Sequence, residues 1–283
     1  MALLHHLNLA TMCPRGARFL TGSGGWTATS ELCAHALLIE TDDGLVLVDT
    51  GFGSEDCRQP KRLGRPFVAI SRPRCDLAET ALHRLPQLGY TPADLRHIVC
   101  THLDLDHSGG LPDFPDASVH VFGAELDIAL KPPLRERLRY IPSHFAHGPD
   151  WVRYGCGGDR WFGFESVRVI EGLDIEIALI PLTGHSAGHC GVAVNRGDGW
   201  LLHCGDAFFS HHELERPPYA PPGLGAMQAL IGYDGADRSQ NQARLRELAE
   251  ARGDLVDLIC AHDPFFLESR QGKPVEIGSP AGD

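Results

Sequence analysis

Four short apolar runs, each ending in a histidine or an aspartate, set the plan of this chain. His97-Ile98-Val99-Cys100 leads into Thr101-His102-Leu103-Asp104-Leu105-Asp106-His107. Leu179-Ile180-Pro181-Leu182 leads to Thr183-Gly184-His185, and Trp200-Leu201-Leu202-His203-Cys204 leads to Gly205-Asp206. Leu255 to Cys260 leads to Ala261-His262-Asp263. A short apolar run bounded by turn residues reads as a buried strand. Each strand hands its polar side chains to a loop at its carboxyl end, so four such loops can converge on one point. Upstream, Ala34 to Glu40 alternates loosely, Thr41-Asp42-Asp43-Gly44 supplies a turn, and Leu45 to Val48 resumes as a second strand. That is a hairpin signal.

Helical spacing appears between these strands. Leu77, Ala81, Leu82, Leu85 and Leu88 predict a helix over 76–88, interrupted at Pro86. Thr91-Pro92-Ala93-Asp94 has the form of a cap with proline at the first helical position. Val119 to Phe122 reads as a short strand and 124–130 as a helix. Ala243, Leu245, Leu248 and Ala249 predict a helix over 239–252, with Ser239 as cap and Gly253 as stop. Two stretches break the pattern: 131–165, rich in Pro, Gly, Arg and aromatics, and the proline-rich 207–224. Long loops in compact domains are often functional. Both are expected to form walls or lids over a site; the alternative is a surface insertion or a homodimer contact. Strands and helices mix throughout, which predicts one α/β domain over residues 1–283, a two-sheet sandwich flanked by helices.

Composition narrows the function classes. The hydrophobic fraction of 43% allows a sizeable core, and no run is long enough to span a bilayer. The first seven residues lack a basic region and a long apolar stretch, so no signal peptide and no membrane association are expected. A net charge of −12 argues against nucleic acid as a partner, and a small-molecule substrate is expected. The basic stretches 58–74 and 135–139 are expected to be solvated faces. Nine cysteines, with no CxxC spacing, fit free thiols in a reducing cytoplasm rather than a disulfide framework.

The candidate chemistry is metal binding. Imidazole and carboxylate are the usual ligands of zinc and other first-row dications. Competing signals are weak: residues 184–188 do not supply a Gly-x-Ser-x-Gly elbow, and Gly22-Ser23-Gly24-Gly25 lacks the lysine of a phosphate-binding loop.

The order HxDxDH, TGHSAGH, GD and a late His, with Val46-Leu47-Val48-Asp49-Thr50-Gly51 upstream, resembles the metallo-β-lactamase-fold hydrolases over residues 33 to 264. The resemblance implies an αβ/βα four-layer sandwich and two divalent metal ions, zinc or iron and manganese. It implies that His102, Asp104 and His185 hold the first and that Asp106, His107 and His262 hold the second. Asp206 would bridge them, so that Asp106 and Asp206 are the catalytic carboxylates. Two such metals share a water and hold it as hydroxide for attack on an ester-type bond. No organic cofactor is expected. Asp49 is expected to orient a ligand or cap its turn, and His189 to orient the site or touch substrate. His203 is expected in the core, with His144, His211 and His212 as outside candidates.

Asp104 departs from the commoner family motif, which has His there. It makes the cluster formally neutral and favours harder ions; alternatively it does not ligate and only the second position fills. Length and the aromatic insertion most resemble the quorum-quenching lactonases, although Phe209 stands where several of them carry Tyr. Tyr140, Tyr154, Tyr219 or Tyr233 would have to replace that hydroxyl. Thioester hydrolysis of the glyoxalase II kind and phosphoester hydrolysis are the rival reactions. A di-iron oxygen-reducing protein and a degenerate metal-binding regulator are the readings from other classes.

Overall fold

The structure is a computed structural model that describes residues 2–278. Its strands are β1 (Ala2–Met12), β2 (Leu32–Thr41), β3 (Gly44–Val48), β4 (Leu95–Val99), β5 (Ser118–Phe122), β6 (Asp150–Tyr154), β7 (Arg160–Trp161), β8 (Phe164–Glu165), β9 (Val167–Val169), β10 (Ile177–Pro181), β11 (Cys190–Asn195), β12 (Trp200–His203), β13 (Val256–Ile259) and β14 (Val275–Ile277). The helices are α1 (Ala17–Thr21), α2 (Ser54–Arg58), α3 (Arg65–Ser71), α4 (Ala81–Gln87), α5 (Leu105–Ser108), α6 (Gly123–Leu130), α7 (Pro222–Ile231), α8 (Gly235–Arg252) and α9 (Pro264–Glu268).

Among the described residues the strands form two large sheets, ordered β14-β1-β2-β3-β4-β5-β6 and β13-β12-β11-β10-β9, with β7 and β8 as a separate pair. Period-two alternation explains how they pack. Val46 and Val48 face one way, into a core shared with Leu37, Ile39 and the second sheet's Leu179, Val192 and Leu202. Leu45 and Leu47 face the other way, onto Ala81 and Leu85 of α4 and Leu126 of α6. Strands covered on both faces read as continuous apolar runs, as 45–48 does. Leu245 and Leu248 of α8 close the second sheet's side. The order of layers is therefore helix, sheet, sheet, helix, as expected.

The topology sends the key loops to one edge. β3, β4 and β5 run parallel, as do β12 and β13, and β10 and β12 share a direction because both are antiparallel to β11. The carboxyl ends of β10, β12 and β13 thus lie together, and so do those of β3 and β4.

Several local expectations are corrected. The helix expected at 239–252 starts at Gly235, because the Asp234 side chain accepts from the amides of Ala236 and Asp237; Ser239 instead bonds to the Gly235 carbonyl. The helix expected over 76–88 is split, with a 3₁₀ turn at Leu77–Glu79 capped by Asp76 before α4. Thr91 and Asp94 close a capping box around a single 3₁₀ turn that passes into β4. The stretch 131–165 is not all loop: β6 extends the first sheet by pairing parallel to β5.

Candidate metal centre

The four strand-end loops bring all seven expected donors together. His102, Asp104 and His185 form one group, Asp106, His107 and His262 a second, and His102, His107 and Asp206 a third; within each group the donor atoms lie within 4.8 Å of one another. Asp206 is central. Its Oδ1 is 3.1 Å from His262 Nε2 and 3.3 Å from His107 Nε2, and its Oδ2 is 3.4 Å from His185 Nε2 and 3.9 Å from His102 Nε2.

The hydrogen bonds behind the rings fix which nitrogen faces the centre. His262 Nδ1 lies 2.7 Å from the Cys33 carbonyl, which can only accept, so Nδ1 carries a proton and Nε2 is the nitrogen turned to the centre, beside Asp206. His107 Nδ1 lies 2.9 Å from the Asp49 carboxylate. Thr101 Oγ1 donates to Asp49 Oδ2 and therefore accepts from His102 Nδ1 at 2.9 Å. Nε2 of His102, His107 and His262 is thus turned inward; His102 Nε2 has no hydrogen-bond partner, and those of His107 and His262 face each other across 3.4 Å. Buried imidazole nitrogens converging with a carboxylate on a common point are a site for a cation.

The charges agree. Burial opposes ionisation of Asp206, but His262, His107 and His185 overcome it and hold its carboxyl well below the usual carboxylate range. Burial likewise opposes protonation of His107, yet Asp206 and Asp49 raise it well above an ordinary imidazole. Without a metal the donor set draws protons to itself, and metal binding would release them. The residues present therefore fit divalent metals.

An outer layer holds these donors. Asp49, in a left-handed conformation at φ 57°, accepts from the amide and hydroxyl of Thr101 as well as from His107. It orients two of the histidines. His189 is saturated: Nδ1 donates to the Leu182 carbonyl at 2.8 Å and Nε2 accepts from the Asp206 amide at 2.9 Å. It aims Asp206 and has no lone pair left for a metal. A Cβ on Gly205, at φ +52°, would sit 2.7 Å from that same His189 Nε2, so the GD turn needs glycine. His203 is also saturated, between the His35 carbonyl and the Gly205 amide, as a core histidine should be.

Two residues escaped the reading of the sequence. Glu125, fully buried in α6, accepts from the Leu103 amide, the Tyr140 hydroxyl, the Ser186 hydroxyl and the Gly188 amide. It ties the HxDxDH loop to the TGHSAGH loop. Arg139, expected on a solvated face, is buried, and its Nη1 donates to Asp104 Oδ1 at 2.9 Å and Oδ2 at 2.7 Å. Within 131–165, then, it is 135–140 that reaches the site, while β6 lies in the sheet.

Phe209 stacks on His262, with ring centroids 5.2 Å apart, and lies 5.9 Å from His185, forming an apolar wall. Tyr140 is spent on Glu125, and Tyr154 lies 2.8 Å from His120 Nδ1. Tyr219 and Tyr233 are exposed, and the Tyr233 amide donates to the His185 carbonyl. Of the outside histidines, His144 pairs with Asp56 at 2.8 Å and His211 with Asp263 at 2.7 Å. His211, His212 and Glu215 form a further donor group in the 207–224 loop.

The chain belongs to the metallo-beta-lactamase superfamily, whose family model matches residues 34–262. It is a metallo-hydrolase, an enzyme of that fold. A probable metallo-hydrolase of Mycobacterium tuberculosis is 44% identical over 266 residues, covering 94% of this chain and 81% of the relative. The N-acyl homoserine lactonase AiiB of Agrobacterium fabrum is 29% identical over 251 residues, covering 82% and 80%. The solved structure of an N-acyl homoserine lactone hydrolase, with N-hexanoyl-L-homoserine at its catalytic metal center, superposes with a TM-score of 0.73 at 20% identity, covering 96% of this chain and 98% of that one.

Proposed function

We propose that this enzyme opens lactones at a centre of two divalent metal ions. The observation that carries the reading is the convergence of seven donors in two groups around Asp206. His102, Asp104 and His185 would hold one ion, Asp106, His107 and His262 the other, and Asp206 both. Bound there, two dications supply Lewis acidity toward a carbonyl oxygen and lower the pKa of a shared water.

The chain's own residues do the rest. Asp49, Thr101 and the Cys33 carbonyl lock the imidazole tautomers, so the lone pairs are preorganised. His189 fixes the Asp206 backbone. Phe209 closes one wall without offering a hydrogen bond, which suits a substrate with an apolar portion. Of the tyrosines, Tyr233 is the candidate to serve a substrate carbonyl, since it is exposed and its backbone amide is bonded to the His185 carbonyl. Resemblance to named lactonases in sequence supports a cyclic ester over a thioester or a phosphodiester.

The test is a substrate panel of acyl homoserine lactones, simple lactones, thioesters and phosphodiesters, run on protein of measured metal content. Lactone opening should exceed the other hydrolyses in kcat/KM. Thioester or phosphodiester turnover above lactone turnover would overturn the assignment.

A further inference from the structure

Arg139 is a cation built into one half of the centre. Its side chain is only 7% exposed. Nε donates to Glu136 Oε2 at 2.9 Å, and Nη2 donates to the carbonyl of Ile231 at the end of α7. Glu136 is itself buried. Held at both ends, the guanidinium points Nη1 at both oxygens of Asp104 and at His185 Nε2, 3.0 Å away. Asp104 and His185 are two of the three donors of the first subsite. No comparable cation faces the second subsite among the described residues: the side chains of Asp106, His107 and His262 have Asp49, Asp206, the Cys33 carbonyl and one another as polar partners.

The geometry is competitive for one reason. A carboxylate has lone pairs enough to serve a guanidinium and a metal together, but an imidazole nitrogen has only one. His185 Nε2, which also lies 3.1 Å from Asp104 Oδ2, can offer its one lone pair to Arg139 Nη1 or to a metal, never both. The pairing also accounts for Asp104. An aspartate here adds a negative charge that a histidine would not, and Arg139 returns the positive charge within hydrogen-bond reach.

We propose that Arg139 makes the two subsites unequal. The Asp106–His107–His262 subsite fills first, and the His102–Asp104–His185 subsite fills only as Arg139 Nη1 releases His185. Arg139 is then a positioning residue that sets metal stoichiometry. Tethered by Glu136 and Ile231, it stays beside Asp104 after the metal enters. The inference rests on the two-metal reading above.

The test is calorimetric titration of metal-free protein with zinc, with elemental analysis of the gel-filtered product. The wild type should show two binding steps about tenfold to a hundredfold apart, the worth of one or two charge-assisted hydrogen bonds. Arg139→Gln should tighten the weak step, leave the strong one in place and close most of that gap. Arg139→Lys, which keeps a cation but loses the planar fork, should close less of it. Because Arg139→Gln leaves Glu136 buried without that partner, the Glu136→Gln/Arg139→Gln double variant removes the Glu136 charge as well, leaving Asp104 as the one carboxylate deprived of Arg139, and it should behave the same way. Two equally tight steps in the wild type would overturn the inference and leave the two-metal reading standing. An unchanged gap in the variants, or both steps weakened together as a merely structural role would give, would also overturn it. One zinc per chain in the wild type and in every variant would overturn both.

Discussion

Replacing Glu125 should loosen the metal centre without touching a metal donor. Its carboxylate accepts from Leu103 N at 3.0 Å, Tyr140 Oη at 3.1 Å, Ser186 Oγ at 2.6 Å and Gly188 N at 3.0 Å. In Glu125→Ala the two hydroxyl protons are free to reorient, but the two buried amides are fixed by the backbone. An unsatisfied buried amide costs about 1–3 kcal/mol, so the loss should be about 4 kcal/mol. At about 2 °C per kcal/mol for a chain of this size, Tm should fall by about 8 °C. Glu125→Gln is informative because its NH₂ can donate to the Ser186 or the Tyr140 oxygen. Either way it meets one backbone amide as a second donor, so about half the loss is expected, about 4 °C. Both variants should also bind metal more weakly at the His102–Asp104–His185 subsite, since Leu103 and Gly188 flank its donors. Thermal scans on metal-free and zinc-loaded protein measure this. If both variants melt within about 1 °C of the wild type in the metal-free state, Glu125 does not hold the two loops together.

Other expectations concern the donors and pH. Asp206→Ala should cost more activity than any other single donor change and should lower metal content at both subsites, read by elemental analysis; retention of near-normal rate and metal would remove Asp206 from its bridging place. Asp104→His should keep the fold, because Glu136 and Ile231 still hold Arg139, and should shift metal preference toward zinc and the acidic limb of the pH–rate profile to lower pH; unchanged selectivity with an unmoved limb would mean that Asp104 does not ligate. Burial first, then Arg270 and His203, push His6 down to about 3, and burial, then His97, push His120 down to about 4. Both are neutral in the folded chain while the unfolded chain takes up protons below about 6.5, so stability should fall as pH drops from about 6.5 toward 4. His6→Asn, which cannot charge, should flatten that slope in Tm measured against pH, and an unaltered slope would contradict the assignment.

The donors were legible because they sit where apolar runs end. His102, His185, Asp206 and His262 each follow a strand directly, and strand polarity then forces convergence. What lay beyond reach was anything set by distant packing. Arg139 reads as one of several arginines in a polar stretch, and only the docking of 135–140 against the end of α7 buries it. Glu125 reads as an acidic residue in the first turn of a short helix, and no periodicity shows that the helix turns it toward two loops some 20 and 60 residues away along the chain. The long first strand escaped notice because Ala2 to Met12 mixes polar His5, His6 and Asn8 into its apolar residues, with an irregular register between Asn8 and Thr11.

Hydrolysis by this enzyme should depend on metals held by these seven side chains. The most direct measurement is the initial rate of acyl homoserine lactone opening against equivalents of metal added back to stripped protein, with bound metal counted at each point. Turnover should be absent at zero metal, and the rate should rise until close to two ions are bound per chain. Ring opening at full rate by metal-free protein would contradict this dependence.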